Sequence, residues 1–546
     1  MTTSLPDRYI VTGTLYTLDE QRPTAQAMAV ADGTITAIGT LADVLSATPG
    51  AELVEHRDGV VLPGLVDAHN HHSLAGEEDL FRLSFAPTAS IEEIVEDVRA
   101  YAAQLPAGEW VVGGAWGSGL ADELATGGPL RLLDAATGDR PVLLVDDSRH
   151  NTWANSAAMD LAGLFDAQVD PRGGRFIRDA DGKLTGLLLE RAGAPIERAR
   201  IAGGLPDDEY FARCSERGIE LLAQHGVTAF QDAASTLEML RGLRKLDDEG
   251  RLHAWVVSSM LVNDTIRGTE PFGEPLLEQA PPFASDHHRP TWTKIFLDGV
   301  PPTRTAAFLE SYVGSHEHFG SVLLPPEQLE GWLRTAERHG VGVKIHCAGD
   351  AAVRAVLDAV ERVRGEGSRV PVQIAHGQFI TTPDRPRLAA LDVIAEISPY
   401  IWFPGVIPQA LESVLPAEVF AGLQPNRELL DLGTHLAVGS DWPVSESPNP
   451  WHAVHGLVTR QDPTGRFPGT LGANHAITRE EAIAAVSGRA ADAMGLGEVT
   501  GRLRVGQSAD FVFLDRDPFT VDATELASTR VLATHFAGTR VYEAAP

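Results

Sequence analysis

Through the middle of the chain, apolar stretches of four to six residues alternate with longer amphipathic segments, whereas both ends carry strand-like segments only. Tyr9–Leu18 alternates apolar and polar residues, and Ala27–Ile38 is interrupted by Asp32-Gly33, a two-residue hairpin signal. At the other end, Gly501-Arg502-Leu503 leads to the apolar run Asp510–Leu514 and then to Val531–Val541. In between, helical periodicity recurs over Asp207–His225, Pro326–His339, Ala351–Val363 and Arg479–Met494. Strand followed by helix, repeated, predicts a parallel sheet or a (β/α) barrel. The segment from about Ser73 to Arg200 breaks this rhythm. It is rich in Gly, Ala and Asp and carries turn signals at Gly127-Gly128-Pro129, Pro171-Arg172-Gly173-Gly174 and Asp181-Gly182. It reads as an inserted subdomain.

Composition narrows the function classes. Against 75 acidic residues stand 44 Lys plus Arg, a net charge of −31 in 546 residues, which argues against nucleic acid as a partner. With 43% hydrophobic and 22% charged residues the chain has the makeup of a globular protein, not a disordered one. No apolar run reaches the roughly 18–20 residues of a membrane span. The N-terminal MTTSLPDRYIVTG has no charged segment followed by an apolar one, so no membrane association and a cytoplasmic location are expected. Two cysteines, Cys214 and Cys347, are too few for a disulfide framework and fit a reducing compartment. Only four lysines, Lys183, Lys245, Lys294 and Lys344, stand beside 40 arginines, so each lysine is worth locating.

The chemistry gathers at strand ends. Val60–Gly64 runs into Leu65-Val66-Asp67-Ala68-His69-Asn70-His71-His72, where His69 and His71, two apart on a strand, share a face and can chelate one metal. Val341–His346 ends an apolar strand in histidine, Val372–His376 does the same one β-α unit later, and Leu436–Asp441 ends a third in a carboxylate. Four strands that each end in a metal-competent group place those groups together at the C-terminal mouth of a parallel barrel. Lys294, inside the apolar strand Thr293–Leu297, is costly as a free ammonium. Two explanations stand: its head reaches the barrel mouth or pairs with Asp298, or it is neutralised by CO2 as a carbamate that bridges two metals. Lys344 competes for the latter role. His72 would turn to the opposite face from His71, and Cys347 away from His346.

Taken in order, these motifs resemble the amidohydrolase superfamily, specifically its YtcJ-like, amidohydrolase-3 branch. The likeness continues through His150–Ser156, Gly186–Glu190, Gly226-Val227-Thr228 with Asp232, Lys294 with Asp298-Gly299, Arg304-Thr305-Ala306, His346 with Gly349-Asp350, His376, Gly439-Ser440-Asp441, and Gly506 with Ala509-Asp510. It covers nearly the whole chain. What it implies is a distorted (β/α)8 TIM-type barrel, a small composite β-sandwich from the N- and C-terminal segments, and an inserted α/β subdomain. The expected division is 1–62 and 496–546 for the sandwich halves, 63–72 for the first barrel strand, 73–200 for the insertion and 201–495 for the remaining barrel. The resemblance further implies zinc, one or two ions per chain, with another divalent metal as an alternative. His69, His71 and Asp441 would hold one ion, His346 and His376 the other, and carboxylated Lys294 would bridge them.

A bound divalent metal lowers the pKa of its water from about 15.7 to near 7, yielding a hydroxide nucleophile, and polarises a carbonyl. Asp441 beside it is the expected proton shuttle to the leaving amine. His150 and Glu190 are candidates to close over the substrate or bind its carbonyl. Arg304 is open between a substrate carboxylate and a salt bridge to Glu310. Asp350 is expected to orient His346 or cap the helix near Ala351. Trp402, Phe403 and Trp442 are candidate walls of an apolar pocket. The function expected is hydrolysis of a non-peptide C–N bond, amide or N-substituted formamide, in a small molecule, by a chain that base rates make a homodimer. Alternatives are a cyclic amide, carbamate or ester at the same site, or an inactive metal-binding regulatory protein on the same fold.

Overall fold

The computed structural model describes residues 8–545 apart from 57–58, 107, 168, 172, 205, 264–269 and 316. Residues 1–7, which open the N-terminal stretch MTTSLPDRYIVTG, and Arg172 of the turn at 171–174 lie outside the described residues. Eight parallel strands form the central sheet: Leu65–Asn70, Val227–Ser235, Trp255–Leu261, His288–Phe296, Gly342–Cys347, Val372–His376, Val393–Ile397 and Leu436–Val438, each paired with the next. The circle is completed beyond the strand ends: Asp441 N donates to His69 O at 2.7 Å and His71 N to Trp442 O at 2.8 Å. This is a distorted (β/α)8 barrel. Its strands are buried on both faces because helices cover the outside, which accounts for their near-continuous apolar runs.

The helices follow the periodicity closely at Asp208–Ala223, Pro326–His339 and Asp350–Gly365. The expected helix over Arg479–Met494 is instead two, Arg479–Ala485 and Gly488–Ala493. The break comes at Ser487, in a non-helical conformation (φ −146°, ψ −109°), beside Val486, whose carbonyl accepts from Val66 N of the first barrel strand. Tertiary hydrogen bonding wins over periodicity there.

Arg8–Tyr16, Thr24–Ala31, Thr34–Gly39, Glu52–Glu55 and Val60–Pro63 join Phe511–Leu514, Val531–Phe536 and Thr539–Glu543 in one composite eight-stranded sheet. Its N- and C-terminal parts meet where Val60–Pro63 pairs antiparallel with Phe511–Leu514. Asp32 (φ 49°) and Gly33 (φ 73°) make the tight turn that their sequence signals. A third sheet, of six strands, lies between the first and second barrel strands in sequence, from Leu83–Ser84 to Leu184–Glu190. No helix among the described residues is long and apolar enough to cross a membrane.

Candidate metal and catalytic centre

His69, His71, Lys294, His346, His376 and Asp441 converge at the C-terminal mouth of the barrel, from its first, fourth, fifth, sixth and eighth strands. The Nε2 atoms of His69 and His71 lie 3.3 and 3.4 Å from the same oxygen, Asp441 Oδ1. Lys294 Nζ is 3.5 Å from His69 Nε2. The His376 ring is 4.8 Å from that of His69 and 4.7 Å from that of His346. Asp67 pins the first strand to the eighth, its carboxylate accepting from His69 N, Asn70 Nδ2, Ser440 N and Ser440 Oγ at 2.6–3.1 Å.

Each of three imidazoles spends one nitrogen on an outer partner. His69 Nδ1 meets Glu396 Oε2 at 2.5 Å, His376 Nδ1 meets Ser398 Oγ at 3.2 Å and His346 Nε2 meets the Gly299 carbonyl at 3.1 Å. The other nitrogen is left for the centre. Burial holds His69, His346 and His376 well below the ordinary imidazole range, reinforced by the nearby Lys294, and His71 is lowered in the same way. Neutral imidazoles are the form that ligates.

The two inner lysines divide their roles. They are neighbours in register, and burial takes both down to about 8, but Lys344 Nζ donates to Ala68 O at 2.8 Å and sits 3.7 Å from Glu396. Lys294 faces the cleft with His71, His346, His376 and Asp441; Lys344 does not. Glu396, absent from the sequence expectations, is fully buried and pushed up to about 7 by burial, against the pull of Lys344. Its signal was available in the form that exposed Lys294: a charged residue inside the apolar strand Val393–Ile397. Gly439 is required beside it, since a Cβ there would lie 2.3 Å from His69 Cβ and 2.7 Å from Glu396 Oε1.

His376 (φ 69°), Asp441 (φ 57°) and Glu190 (φ 51°) adopt left-handed backbone that costs a non-glycine residue about 1–2 kcal/mol. Each is held: His376 O by Gln424 Nε2 at 2.7 Å, Asp441 N by His69 O, Glu190 N by Asn151 Oδ1 at 3.3 Å. Such strain concentrates where side-chain aim matters.

The inserted segment reaches this centre. His150 Nδ1 bonds Glu190 Oε2 at 2.8 Å, and its ring lies 5.2 Å from that of His346. Burial would depress His150, but the charge and hydrogen bond of Glu190 raise it. Thr305 Oγ1 donates to the other Glu190 oxygen at 2.7 Å.

Other expected residues fall elsewhere. Arg304 is exposed, lines a separate cavity on the far side of Glu190 and, among the described residues, makes no ion pair with Glu310. Trp402 lies beneath the buried Arg460, 3.9 Å from guanidinium to ring centroid, while Phe403 and Trp442 pack in the core; none of the three lines the cleft. Its apolar wall is made by Phe296, Leu261, Phe211 and Ile407, among others. Asp350 accepts from Leu309 N at 2.8 Å and so ties down a loop; Asp298 accepts from Ala307, Ala348 and Gly349 N–H groups at 2.9–3.0 Å and does the same. His72 turns away to Asp232 at 2.7 Å, and Cys347 faces an apolar cluster where burial raises its thiol.

A parallel barrel whose C-terminal mouth gathers four neutral histidines, a carboxylate and a lysine at the base of an open cleft defines a barrel hydrolase. The profile of the Amidohydrolase family, group 3, matches residues 52–542, and the chain belongs to that family, whose enzymes hydrolyse carbon–nitrogen bonds. N-substituted formamide deformylase of Arthrobacter pascens is 29% identical over 99% of both chains. Protein LONG AFTER FAR-RED 3 of Arabidopsis thaliana is 26% identical, over 98% of this chain and 91% of its own. An uncharacterized metal-dependent hydrolase from Pyrococcus horikoshii OT3 has the same fold, with a TM-score of 0.74, 21% identity, and coverage of 94% of this chain and 99% of its own.

Proposed function

We propose that the protein is a metal-dependent hydrolase of a non-peptide C–N bond in a small molecule, N-substituted formamides first among the substrates. The observation that carries the reading is that the Nε2 atoms of His69 and His71 meet on one Asp441 oxygen at an open cleft, with the His376 and His346 rings beside them and the outer nitrogens of His69, His346 and His376 already bonded. This donor set suits a divalent cation, zinc above all. His69, His71 and Asp441 would hold one ion, His346 and His376 a second, and Lys294 as its carbamate would join them. When bound, such an ion polarises the substrate carbonyl and brings the pKa of water toward neutrality.

The chain's own groups do the rest. Lys294, with its amine at about 8, has a neutral fraction near pH 7 able to add CO2 and release a proton. Asp441 takes a proton from the attacking water and delivers it to the nitrogen as the C–N bond breaks, releasing amine and carboxylic acid. His150, oriented by Glu190, hydrogen-bonds the carbonyl oxygen. The relative of 29% identity that deformylates N-substituted formamides supports this substrate class.

The test is a screen of N-substituted formamides and small linear amides, with cyclic amides, carbamates and esters alongside, on protein of measured metal content. Amine release that depends on bound zinc is expected. Metal-replete protein that turns over none of them, or protein that takes up no divalent metal, would overturn the reading.

A further inference from the structure

Among the described residues, one acid of the cleft wall has no partner in the fold. Of the acidic residues lining the cleft, Glu77 receives Arg82 at 2.7 Å and the Tyr210 hydroxyl at 2.9 Å, Glu78 receives Arg149 at 2.7 Å, Glu197 receives Arg200 at 2.7 Å and Asp147 receives the Ser118 hydroxyl. Asp441 belongs to the centre. Glu238 is different: it is 7% exposed, lines the same cleft and, among the described residues, has no hydrogen bond and no ion pair. It stands at the start of the helix Leu237–Asp248, whose first turn is already capped by Thr236 through Met239 N. The helix dipole favours an acid there, but it does not require the side chain to line the cleft. A carboxylate on the cleft wall with no cation of the fold beside it is open to one that a ligand brings.

The residues around Glu238 say what kind of molecule that is. Ala234 lies at the end of the second barrel strand and Thr236 just after it, Leu261 ends the third and Phe296 ends the fourth, so adjacent strand ends make one largely apolar wall that runs from Glu238 to the Lys294 strand. Phe296 itself lies 5.9 Å, ring to ring, from His346. We infer that Glu238 is a substrate-binding residue that selects molecules with a positively charged group, an ammonium or amidinium, joined through an apolar body to the bond that is cut. The cutting step rests on the hydrolase reading above; the recognition of the cation does not.

The test therefore has two arms on the full-length, metal-replete protein. Calorimetric binding of benzamidine and its neutral near-isostere benzamide isolates recognition. Wild type is expected to bind benzamidine at least about tenfold tighter, and Glu238→Gln to lose that preference, as befits truncation of one member of a buried charge pair. Equal binding of both probes by wild type, or a preference that survives in Glu238→Gln, would overturn the assignment. Melting temperature checks for a structural role: loss of an unpartnered charge leaves it unchanged or raised, and a fall of several degrees would mean that the carboxylate ties the fold together. The second arm compares N-benzylformamide with its 4-aminomethyl derivative, and at least a tenfold advantage in kcat/KM for the cationic compound in wild type is expected to collapse in Glu238→Gln. If neither is hydrolysed but the benzamidine preference holds, the reaction class fails and Glu238 keeps its role. If both are hydrolysed equally well by wild type, the hydrolase stands and the assignment of Glu238 falls.

Discussion

Glu396→Gln separates holding the metal from holding the fold. The carboxylate accepts from His69 Nδ1 at 2.5 Å and lies 3.7 Å from Lys344 Nζ, with all three groups fully buried. At 3.7 Å and an effective dielectric constant of about 20, the attraction between Lys344 and Glu396 is about 4–5 kcal/mol. Its loss takes the Lys344 amine from about 8 to well below neutrality, so the lysine sheds its proton instead of remaining a bare buried charge. The penalty at pH 7 is then capped at about 1.4 kcal/mol, the free energy of deprotonating a group one unit above the pH. In a chain of this size that moves the melting temperature by no more than about 4 °C. Glutamine also still offers His69 Nδ1 an acceptor, but an uncharged one, so the imidazole is a poorer ligand. Loss of such an outer partner weakens metal binding by about 10–100-fold. Competitive chelator titration followed by metal analysis, with thermal melting in parallel, reads both quantities. Wild-type metal affinity in the variant would refute the role given to Glu396, and a drop in melting temperature beyond about 10 °C would refute the neutralisation argument.

Other expected outcomes follow from the same geometry. Asp441→Asn should lower turnover by about 10²–10⁴-fold with the fold retained, and turnover near wild type would remove Asp441 from proton transfer. Intact-mass measurement under gentle, CO2-replete conditions should find one added CO2 on the peptide that contains Lys294 and none on that of Lys344; the reverse would exchange their roles. His150 is raised by Glu190, so their pairing adds stability that is complete below the ordinary imidazole pKa of 6.5 and is lost as pH rises through the folded value. Denaturant unfolding of Glu190→Gln should show a deficit of about 1–3 kcal/mol at pH 6 that shrinks by pH 9, and a deficit independent of pH would contradict it. Gly439→Ala, which drives a methyl into His69 and Glu396, should cost metal affinity as well as stability, measurable by the same chelator titration.

What was legible in the sequence is what depends on neighbours along the chain. The pair His69 and His71 declares itself because a two-residue spacing at a strand end brings both to the same centre, although the strand stops at Asn70 and His71 lies just past it, and His346, His376 and Asp441 each stand at or shortly beyond the end of an apolar run that the sequence shows. Their gathering follows from topology alone, since parallel strands all end on one side. Glu396 was missed although its strand is equally plain, because its partners, His69 and Lys344, lie hundreds and tens of residues away and no local pattern marks the contact. The aromatic residues fail for the opposite reason. Trp402 follows a strand end as the site residues do, but the side chain's direction is set by Arg460, whose guanidinium covers it and donates to the carbonyls of Leu471, Gln424 and Leu423. Arg304, in left-handed backbone, is carried outward past Glu190.

Scarcity of lysine turns out to be tied to the way the centre is layered. Of four lysines, Lys183 and Lys245 lie toward the surface, while Lys294 and Lys344 stand side by side in register inside the barrel. Two ammonium groups so placed would repel, and each lowers the pKa of the imidazoles around it, which keeps them neutral. The barrel resolves the conflict by tiers. Below, Lys344 keeps company with Glu396 and the Ala68 carbonyl, and this pair fixes the tautomer of His69. Above, Lys294 has its head beside His69 and over the Phe296 ring, with the open cleft before it. The lower lysine is thus anchored as a charge, whereas the upper one gains most by losing its charge. Substitutions in the lower tier should therefore act through metal retention alone, and loss of Lys294 through metal stoichiometry and turnover together, so that Lys344→Met and Lys294→Met, of equal size change, are expected to differ in kind: the first in chelator sensitivity at preserved kcat once metal is saturating, the second in the number of ions held and in kcat even when metal is saturating. Identical phenotypes in the two would mean that the tiers are one electrostatic unit.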